Sequence, residues 1–393
     1  MPALDEYFRL MVERKASDLH FSTGAPPMFR IAGEMGAVPG RPVITRDVAR
    51  EVLWELMPER NREEFKQRHD TDFAYALPGF GRYRCNIFMD RNGIGGVFRL
   101  IPDKILTCDD LKLSPEVKNL AFLSKGLVLV TGPTGSGKST TLSALVNHVN
   151  ENRHDHIITI EDPIEFVHPN KRCLVNQREV HQHTSSFASA LRAALREDPD
   201  IALVGEMRDL ETTRIAIETA ETGHLVFATL HTNTAPSTVD RLINQFPANE
   251  QEQIRQMLAT SLKAVISQTL LRKTGGGRVA ALEVLIVTPA VSANIREGKT
   301  YQIYSAMQTG GRQGMVVLND ALVRLIKARQ VDPKDAYLKA VDKEDFIRRL
   351  QTEGIRWEAG ASNSDPQTVR PAAPDTQTIR PAAHDTQTIR PSF

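Results

Sequence analysis

One segment of the chain has the residue spacing of a phosphate-binding loop. Residues 132–139 read Gly-Pro-Thr-Gly-Ser-Gly-Lys-Ser, which matches the pattern G-x-x-x-x-G-K-[S/T]. The glycines let backbone N–H groups turn inward around a phosphate, and the N-terminus of a following helix adds its positive dipole end. The sequence therefore predicts an ATP site whose binding residues are Gly132, Pro133, Thr134, Gly135, Ser136, Gly137, Lys138, Ser139 and Thr140.

Two side chains of this loop have predicted roles in the chemistry. Lys138 is expected to reach the β- and γ-phosphates of ATP, and the Ser139 hydroxyl is expected to hold Mg²⁺. The alternative is a glycine-rich turn without a nucleotide. A chance match in a chain of this length is on the order of one in a hundred, and an apolar run at 127–130 followed by a helix-like stretch is the context that a phosphate-binding loop requires.

Carboxylates that could act on the γ-phosphate follow two other apolar runs. The run at 201–204 leads through a glycine to Glu206, which we expect either to orient the attacking water or to hold Mg²⁺ through a water. Glu161 follows the run at 157–160, at a second strand end where open α/β sheets place ligand groups. The alternatives are a surface glutamate for Glu206 and a helix-capping turn before Pro163 for Glu161.

Phosphoryl transfer also needs positive charge at the γ-phosphate, and two pairs of arginines are candidates. Arg192 and Arg196 are four residues apart on a helix predicted over 186–197, so they share a face. Arg84 and Arg99 lie on predicted strands of the first hundred residues. An arginine supplied across a subunit interface can stabilise transition-state charge. The alternative for all four is an ion pair with a surface carboxylate.

Two histidines bracket a further apolar strand beside the predicted nucleotide site. His224 precedes the run at 225–228 and His231 follows it. One of them is a candidate sensor of the γ-phosphate, and a capping or core role is an equal alternative.

The elements that must position these groups follow from the apolar pattern after residue 126. Apolar runs lie at 127–130, 157–160, 201–204 and 225–228. Helix-like stretches lie between them, at 139–150, 186–197 and 209–221. Buried strands alternating with helices predict an α/β fold with a parallel sheet covered on both faces. Helical periodicity over 250–271 and 314–330 predicts a helical C-terminal part.

The first hundred residues follow a different pattern. Helical spacing predicts amphipathic helices over 3–15 and 46–57. Short alternating segments at 73–77, 82–89 and 95–101 predict an antiparallel sheet with arginines on one face. The sequence therefore predicts a small α+β domain before the α/β domain.

These patterns divide the chain into four parts. We predict an N-terminal domain over 1–101, a linker over 102–125 and an ATPase domain over 126–355. Residues 356–393 hold three copies of a ten-residue unit with a proline in each, and their composition predicts a disordered tail.

Composition excludes several classes of protein. The 393 residues include 49 Lys and Arg and 48 Asp and Glu, so the net charge of +1 disfavours nucleic acid as a partner. The three cysteines are far apart, which excludes a disulfide scaffold and suits a reducing cytosol. The chain lacks a run of eighteen apolar residues, so we expect neither an integral membrane protein nor a secreted one.

Several motifs together resemble those of the type II/IV secretion ATPases. The segments GLVLVTGPTGSGKSTT, ITIEDPIEFVH, ALREDPDIALVGEMRD and TGHLVFATLHT look like the Walker A, Asp-box, Walker B and His-box segments of that family. Four further segments are similar to the subgroup that retracts type IV pili, and they read ASDLH, CLVNQREV, GEMRDLET and YSAMQTGG. The resemblance covers about residues 3–350 and does not include the repeat tail.

The resemblance implies a fold and a catalytic set. It implies a PAS-like α+β N-terminal domain joined to a RecA-like P-loop ATPase domain with a helical C-terminal part. It implies that Glu206 activates water with help from Glu161. The other residues that it places in catalysis, besides Lys138, are Arg84, Arg99, Arg192, Arg196, His224 and His231.

The resemblance also implies a biological setting. It implies a homo-hexameric Mg-ATP-hydrolysing motor for pilus retraction and twitching motility, with ATP touched by a neighbouring subunit. The implied location is the cytoplasm, peripherally at the inner membrane at the pilus base. The implied partners are an inner-membrane pilus platform protein and a second retraction ATPase.

One element departs from the retraction subgroup. Residues 290–297 read AVSANIRE where that subgroup typically reads AIRNLIRE, so Ile295, Arg296 and Glu297 are kept and the front half diverges. Two alternatives stay open from the sequence. One is a pilus assembly or type II secretion ATPase, although the long extra N-terminal region and the four-cysteine motif of such motors are not found here. The other is a nucleotide-binding regulatory module with little turnover.

Overall fold

The computed structural model describes residues 2–31, 33–101, 104–355 and 357, and it contains two sheets. The first is a six-stranded antiparallel sheet in the order β3-β2-β1-β6-β5-β4. Its strands are β1 (Asp18–Ser22), β2 (Met28–Ile31), β3 (Glu34–Ala37), β4 (Asp70–Leu77), β5 (Gly81–Met89) and β6 (Ile94–Ile101). The predicted strands at 73–77, 82–89 and 95–101 are confirmed, whereas β1 to β3 were not predicted.

Three helices cover one face of this sheet. They are α1 (Asp5–Glu13), α2 (Arg46–Leu56) and α3 (Glu59–Arg68), of which the first two confirm predictions. The Thr45 side chain caps α2 by accepting a hydrogen bond from the Val48 N–H. Alternation along β5 buries one set of side chains, and the ring of Tyr83 stacks on that of Phe8 with 4.2 Å between centroids. The opposite set, which includes Arg82 and Arg84, faces away from this core.

The second sheet has seven strands in the order β13-β12-β7-β11-β10-β8-β9. Their bounds are β7 (Gly126–Thr131), β8 (His156–Glu161), β9 (Leu174–Glu179), β10 (Ile201–Val204), β11 (Leu225–Leu230), β12 (Leu262–Arg272) and β13 (Arg278–Ile286). Six strands run parallel, and β13 pairs antiparallel with β12. Residues 127–130 are fully buried, as expected for a strand with helices on both faces.

Helices pack on both faces of the second sheet and then form a C-terminal group. They are α4 (Pro115–Asn119), α5 (Lys138–Asn152), α6 (Phe187–Ala194), α7 (Leu210–Glu221), α8 (Ala235–Asn244), α9 (Gln251–Ser261), α10 (Pro289–Arg296), α11 (Ile303–Thr309), α12 (Leu318–Lys327), α13 (Pro333–Lys339) and α14 (Lys343–Thr352). The group from α12 to α14 has a separate small core around Leu322 and Phe346. In the part of the chain that the structure describes, no helix combines the length and apolar character needed to cross a bilayer.

The prediction of helix over 250–271 was wrong in its second half. The helix ends at Ser261, and residues 262–272 form β12, the neighbour of β7 inside the sheet. A strand buried on both faces and a buried helical segment have the same apolar composition, so periodicity does not separate them. The sheet is also mixed rather than all parallel. A short turn between β12 and β13 allows antiparallel pairing only, because parallel strands need a long crossover.

Two other helices are shorter than predicted. The helix expected over 186–197 ends at Ala194, and that expected over 314–330 begins at Leu318, because Val316 pairs with Val284 beside β13. The predicted tail at 356–393 lies outside the described residues except for Trp357. The predicted domain boundaries stay predictions. Within the predicted linker, Val117 and Leu120 pack into the core of the second sheet.

Candidate active site

The phosphate-binding loop connects β7 to α5, as the sequence predicted. Gly132, Gly135 and Gly137 have φ of 142°, 76° and 91°, a region that L side chains rarely adopt. A Cβ at Gly132 would lie 2.3 Å from the Gln268 carbonyl oxygen and 2.6 Å from Ser136 Oγ. The glycine at 132 is therefore required by close packing against β12, and α5 begins directly after the loop at Lys138.

Lys138 lies folded over the loop. Its Nζ donates to the Gly132 carbonyl at 2.9 Å and the Pro133 carbonyl at 3.3 Å, and it is 3.4 Å from His231 Nδ1. Burial lowers the pKa of Lys138, while the negative charges of Glu206 and Glu165 act in the opposite direction. The ammonium group is thus held between the loop and the end of β11.

Glu206 follows β10 through Gly205 and faces Lys138. Its Oε1 is 2.9 Å from His231 Nε2, and its Oε2 accepts from Arg208 Nη2 at 2.7 Å. Burial alone would raise the pKa of Glu206, but the hydrogen bond and charge of Arg208, with the charges of His231 and Lys138, lower it below its usual value. The carboxylate is therefore ionised at neutral pH and can accept a proton or orient a water.

Glu161, at the end of β8, has the opposite electrostatic setting. Burial raises the pKa of Glu161, and hydrogen bonds from Thr159 and Gln177 limit the rise. Thr159 Oγ1 donates to Glu161 Oε1 at 2.7 Å, and Gln177 Nε2 donates to the same oxygen at 3.1 Å. Glu161 lines a cavity of about 40 Å³ together with Ser139, Thr229 and the apolar side chains of Leu142, Phe166 and Leu203.

Arg84 and Arg99 are direct cross-strand partners on β5 and β6 of the first sheet. Arg99 Nε donates to Asp18 Oδ1 at 2.8 Å, and Arg84 Nε lies 3.9 Å from Asp72 Oδ1. Burial raises the pKa of Asp72, and the charge of Asp162 next to Glu161 contributes to the rise. Arg82 lies on the same face of β5 as Arg84, and it donates to Glu179 of β9, which also accepts from the Ile164 N–H in the loop that follows β8. The strand face that carries Arg84 therefore lies toward that loop.

Three predicted residues lie away from this cleft within the chain. Arg192, in the last turn of α6, forms an ion pair with Glu211 of α7. Arg196 lies in the turn after α6, so the prediction that it shares one helix with Arg192 was wrong. His224 precedes β11, with Nδ1 3.2 Å from the Thr219 carbonyl, and β11 separates it from His231 by about 20 Å at the usual strand rise.

Several polar groups of the site were missed by sequence reasoning. Gln268 of β12 donates to the Ser136 carbonyl at 2.5 Å and accepts from Thr141 Oγ1 at 2.8 Å, so it supports the phosphate-binding loop. Gln177 and Arg208 hold the two carboxylates. Gln268 was missed because its strand was predicted as helix, and Gln177 because β9 was not predicted. Gln177 lies within the segment CLVNQREV quoted above, but that segment does not indicate a contact with Glu161, and no local pattern marks Gln268.

Comparison with known proteins gives the family. Residues 2–280 match the family described as type II/IV secretion system protein. This chain belongs to that family. Over 343 residues it is 50% identical to the type IV pilus retractation ATPase PilT of Pseudomonas aeruginosa, a match that covers 87% of this chain and 99% of that protein. Over 321 residues it is 48% identical to a twitching motility protein of Neisseria gonorrhoeae, covering 81% and 86% of the two chains.

A solved structure confirms the fold. The crystal structure of the pilus retraction motor PilT with bound ADP superposes with a TM-score of 0.83 at 44% sequence identity, covering 88% of this chain and 99% of that one. The predicted arrangement of an antiparallel N-terminal sheet and a RecA-like ATPase sheet is therefore confirmed, apart from the corrections to individual elements given above.

Proposed function

We propose that this protein is an ATP-hydrolysing motor that powers retraction of a type IV pilus, and with it twitching motility. The proposal rests on the arrangement of three side chains in the cleft. Lys138 lies over the glycine loop, and His231 contacts both Lys138 and the ionised Glu206. The relatives named above, a pilus retraction ATPase and a twitching motility protein, support the biological setting.

In this proposal the loop binds the phosphates of ATP. Ser136 is buried, and its Oγ has no hydrogen-bond partner among the described residues, which a phosphate oxygen would supply. Lys138 neutralises charge on the β- and γ-phosphates. Glu206 orients the attacking water and accepts its proton, while the new bond to the γ-phosphorus forms and the bond to the bridging oxygen of ADP breaks. His231 and Arg208 hold Glu206 in its ionised form.

The residues present also fit Mg²⁺. Ser139 and Glu206 offer the oxygen ligands that this ion prefers, and it usually binds through one or two protein groups plus phosphates and water. That preference agrees with the finding that, within the described residues, no three His, Cys, Asp or Glu side chains are grouped as metal ligands. When bound, Mg²⁺ would neutralise charge that develops on the phosphates.

The assembly that we propose is a homo-hexamer of two-domain subunits, with domains over 1–101 and 126–355. Exposed Arg84 and Arg99 would supply positive charge at the γ-phosphate, in the manner of arginine fingers. Glu161 would assist Glu206. Catalytic roles for Arg192, Arg196 and His224 stay predictions, and each requires contact with a neighbouring subunit.

The cellular part of the proposal follows the relatives. The hexamer would work in the cytoplasm, attached peripherally at the inner membrane at the pilus base. Its partners would be the membrane platform protein of the pilus and a second retraction ATPase, and nucleic acid is not proposed as a partner.

Two experiments test the proposal together. Purified full-length protein should release phosphate from Mg-ATP, and the Lys138→Ala variant should lose this activity while retaining its fold by circular dichroism. Deleting the gene in its host should leave pili that accumulate at the surface without twitching. Nucleotide binding without turnover would indicate a regulatory module instead. Loss of surface pili would indicate an assembly motor.

A further inference from the structure

The strand β9, at the edge of the second sheet, directs two polar side chains toward the loop that follows Glu161. Gln177 and Glu179 are two residues apart, so they share one face of the strand. In the parallel pairing of β9 with β8, Gln177 is opposite Thr159 and Glu179 is opposite Glu161. This register places the Gln177 amide beside the carboxylate at the end of β8.

All parts of the Gln177 amide are engaged. Its Nε2 donates to Glu161 Oε1 at 3.1 Å and to the Phe166 carbonyl at 2.8 Å, and its Oε1 accepts from the His168 N–H at 2.7 Å. Because the amide oxygen and the amide nitrogen each have a backbone partner, the amide cannot rotate without breaking a hydrogen bond. The donor aimed at Glu161 is therefore held in one direction.

The carboxylate of Glu161 is thereby restrained from two sides. Thr159 Oγ1 and Gln177 Nε2 both donate to Oε1, one from within β8 and one from β9. Two donors on the same oxygen define the rotation of the carboxylate about its terminal bond. Side chains held in this way keep a catalytic group within the narrow geometry that its reaction needs.

Glu179 attaches the same loop to the first sheet. Its Oε2 accepts from the Ile164 N–H at 3.1 Å and from Arg82 Nη2 of β5 at 2.7 Å. Residues 164, 166 and 168 are thus all bound by β9 side chains. The alternative role for Gln177 is therefore purely structural, namely to fix this loop. The experiment must distinguish that role from an effect on catalysis through Glu161.

We propose that Gln177 is a positioning residue for Glu161 in ATP hydrolysis, acting through the hydrogen bond from its amide to Glu161 Oε1. This inference rests on the proposed function, since it assigns a supporting residue to the same site. Gln177 itself is not expected to touch ATP. Its loss should slow turnover more than it weakens nucleotide binding, because ground-state binding depends on the loop at 132–139.

The test compares Gln177→Met with a matched control, Asn150→Leu, in the full-length assembled protein. In both variants the new side chain is close in volume to the one it replaces. Asn150 also fixes the connection between β8 and β9, because its side chain donates to the Pro169 carbonyl at 2.7 Å and accepts from the Lys171 N–H. Asn150 does not contact Glu161. For Gln177→Met we expect kcat to fall about tenfold with little change in KM for ATP. For Asn150→Leu we expect lower thermal stability with kcat close to that of the wild type.

Two further variants test whether Gln177 acts on turnover through Glu161. Gln177→Glu keeps an acceptor for the His168 N–H but loses the donor to Glu161 and to the Phe166 carbonyl, so a positioning role predicts that it does not rescue kcat. In a Glu161→Gln background, adding Gln177→Met should change kcat by less than about twofold, because the group that Gln177 positions is already lost.

The outcomes are distinct. A folded Gln177→Met protein with wild-type kcat, full rescue by Gln177→Glu, or independent additive losses with Glu161→Gln would each overturn this inference and leave the proposed function intact. A wild-type protein that releases no phosphate from Mg-ATP would instead overturn the proposed function and this inference with it.

Discussion

The two ends of the strands in the second sheet carry different kinds of polar group. We call the residues that follow β7, β8, β10 and β11 the carboxyl rim, and those that precede them the amino rim. At the carboxyl rim, Lys138, Glu206 and His231 converge, and Glu161 ends the neighbouring strand β8. At the amino rim, polar groups form hydrogen bonds with one another. For example, the Asp200 carboxylate accepts a hydrogen bond from the His156 N–H at 2.9 Å.

The difference follows from the topology. In parallel strands joined by helices, every strand delivers its carboxyl end and every following helix its positive N-terminus to the same rim. The amino rim receives helix C-termini, and its backbone groups link strand to strand, as when the Gly126 N–H donates to the His224 carbonyl at 3.0 Å. We therefore expect a substitution at the carboxyl rim to affect ATP binding or turnover more than a similar substitution at the amino rim. Matched pairs of variants, one from each rim, test this expectation.

The largest expected effect is on turnover at the carboxyl rim. Glu206→Gln keeps the shape of the side chain but removes its charge, so kcat should fall by about 10²–10⁴-fold while ATP binding is largely retained. Phosphate release and nucleotide titration would measure the two quantities. The control is Asp200→Asn at the amino rim, which keeps an acceptor for the His156 N–H and should keep normal turnover. Comparable losses in both variants would contradict the distinction between the rims.

The next effect concerns two glycines with positive φ. Gly132→Ala places a Cβ 2.3 Å from the Gln268 carbonyl oxygen, so the loop must shift and ATP affinity should fall more than about tenfold. Gly223→Ala at the amino rim has φ of 129° but no atom within 4 Å of the added Cβ. Its cost of about 1 kcal/mol should appear as lower stability with normal affinity. Normal ATP affinity in Gly132→Ala would show that the loop does not bind the phosphates.

A pH-dependent effect on stability is expected from His168, on the connection that leaves the carboxyl rim. Burial lowers the pKa of His168 to about 4, and Lys171 contributes. An unfolded histidine titrates near 6.5, so between these values the unfolded state binds the proton and stability falls as the pH falls. The loss amounts to about 2 kcal/mol between pH 7 and pH 5.

His168→Gln should remove that part of the pH dependence, and urea unfolding at pH 7 and pH 5 would measure it. His156→Gln at the amino rim controls for the loss of an imidazole. If the wild type and His168→Gln lost the same stability over this range, the buried neutral state of His168 would be excluded.

The smallest effect concerns the histidines at either end of β11. His231→Ala removes a contact of both Lys138 and Glu206, so kcat should fall about tenfold. His224→Ala should change kcat by less than about threefold, because the imidazole of His224 lies beside the Thr219 carbonyl near the end of α7, and the backbone hydrogen bonds of residue 224 remain in the variant. An equal loss at His224 would indicate that a neighbouring subunit brings the amino rim into the chemistry.

Much of the carboxyl rim was predictable from local sequence. The glycine loop, the helix start at Lys138 and the carboxylates after apolar runs all lie within a few residues of a recognisable strand end. The supporting glutamines were not predictable. Gln177 lies 16 residues from Glu161, and Gln268 lies 132 residues from Ser136, so their contacts depend on strand order rather than on spacing.

The sequence by itself determined the groups that we propose bind phosphate, because left-handed glycines, strand ends and helix starts are set by neighbouring residues. Only the tertiary structure decided which side chains support them. Residues 262–272 became a strand because β7 offers a partner on one side and β13 on the other. Arg82 meets Glu179 only because two sheets formed from separate parts of the chain pack together. Such contacts depend on the burial of surfaces that are distant in sequence, which no local pattern encodes.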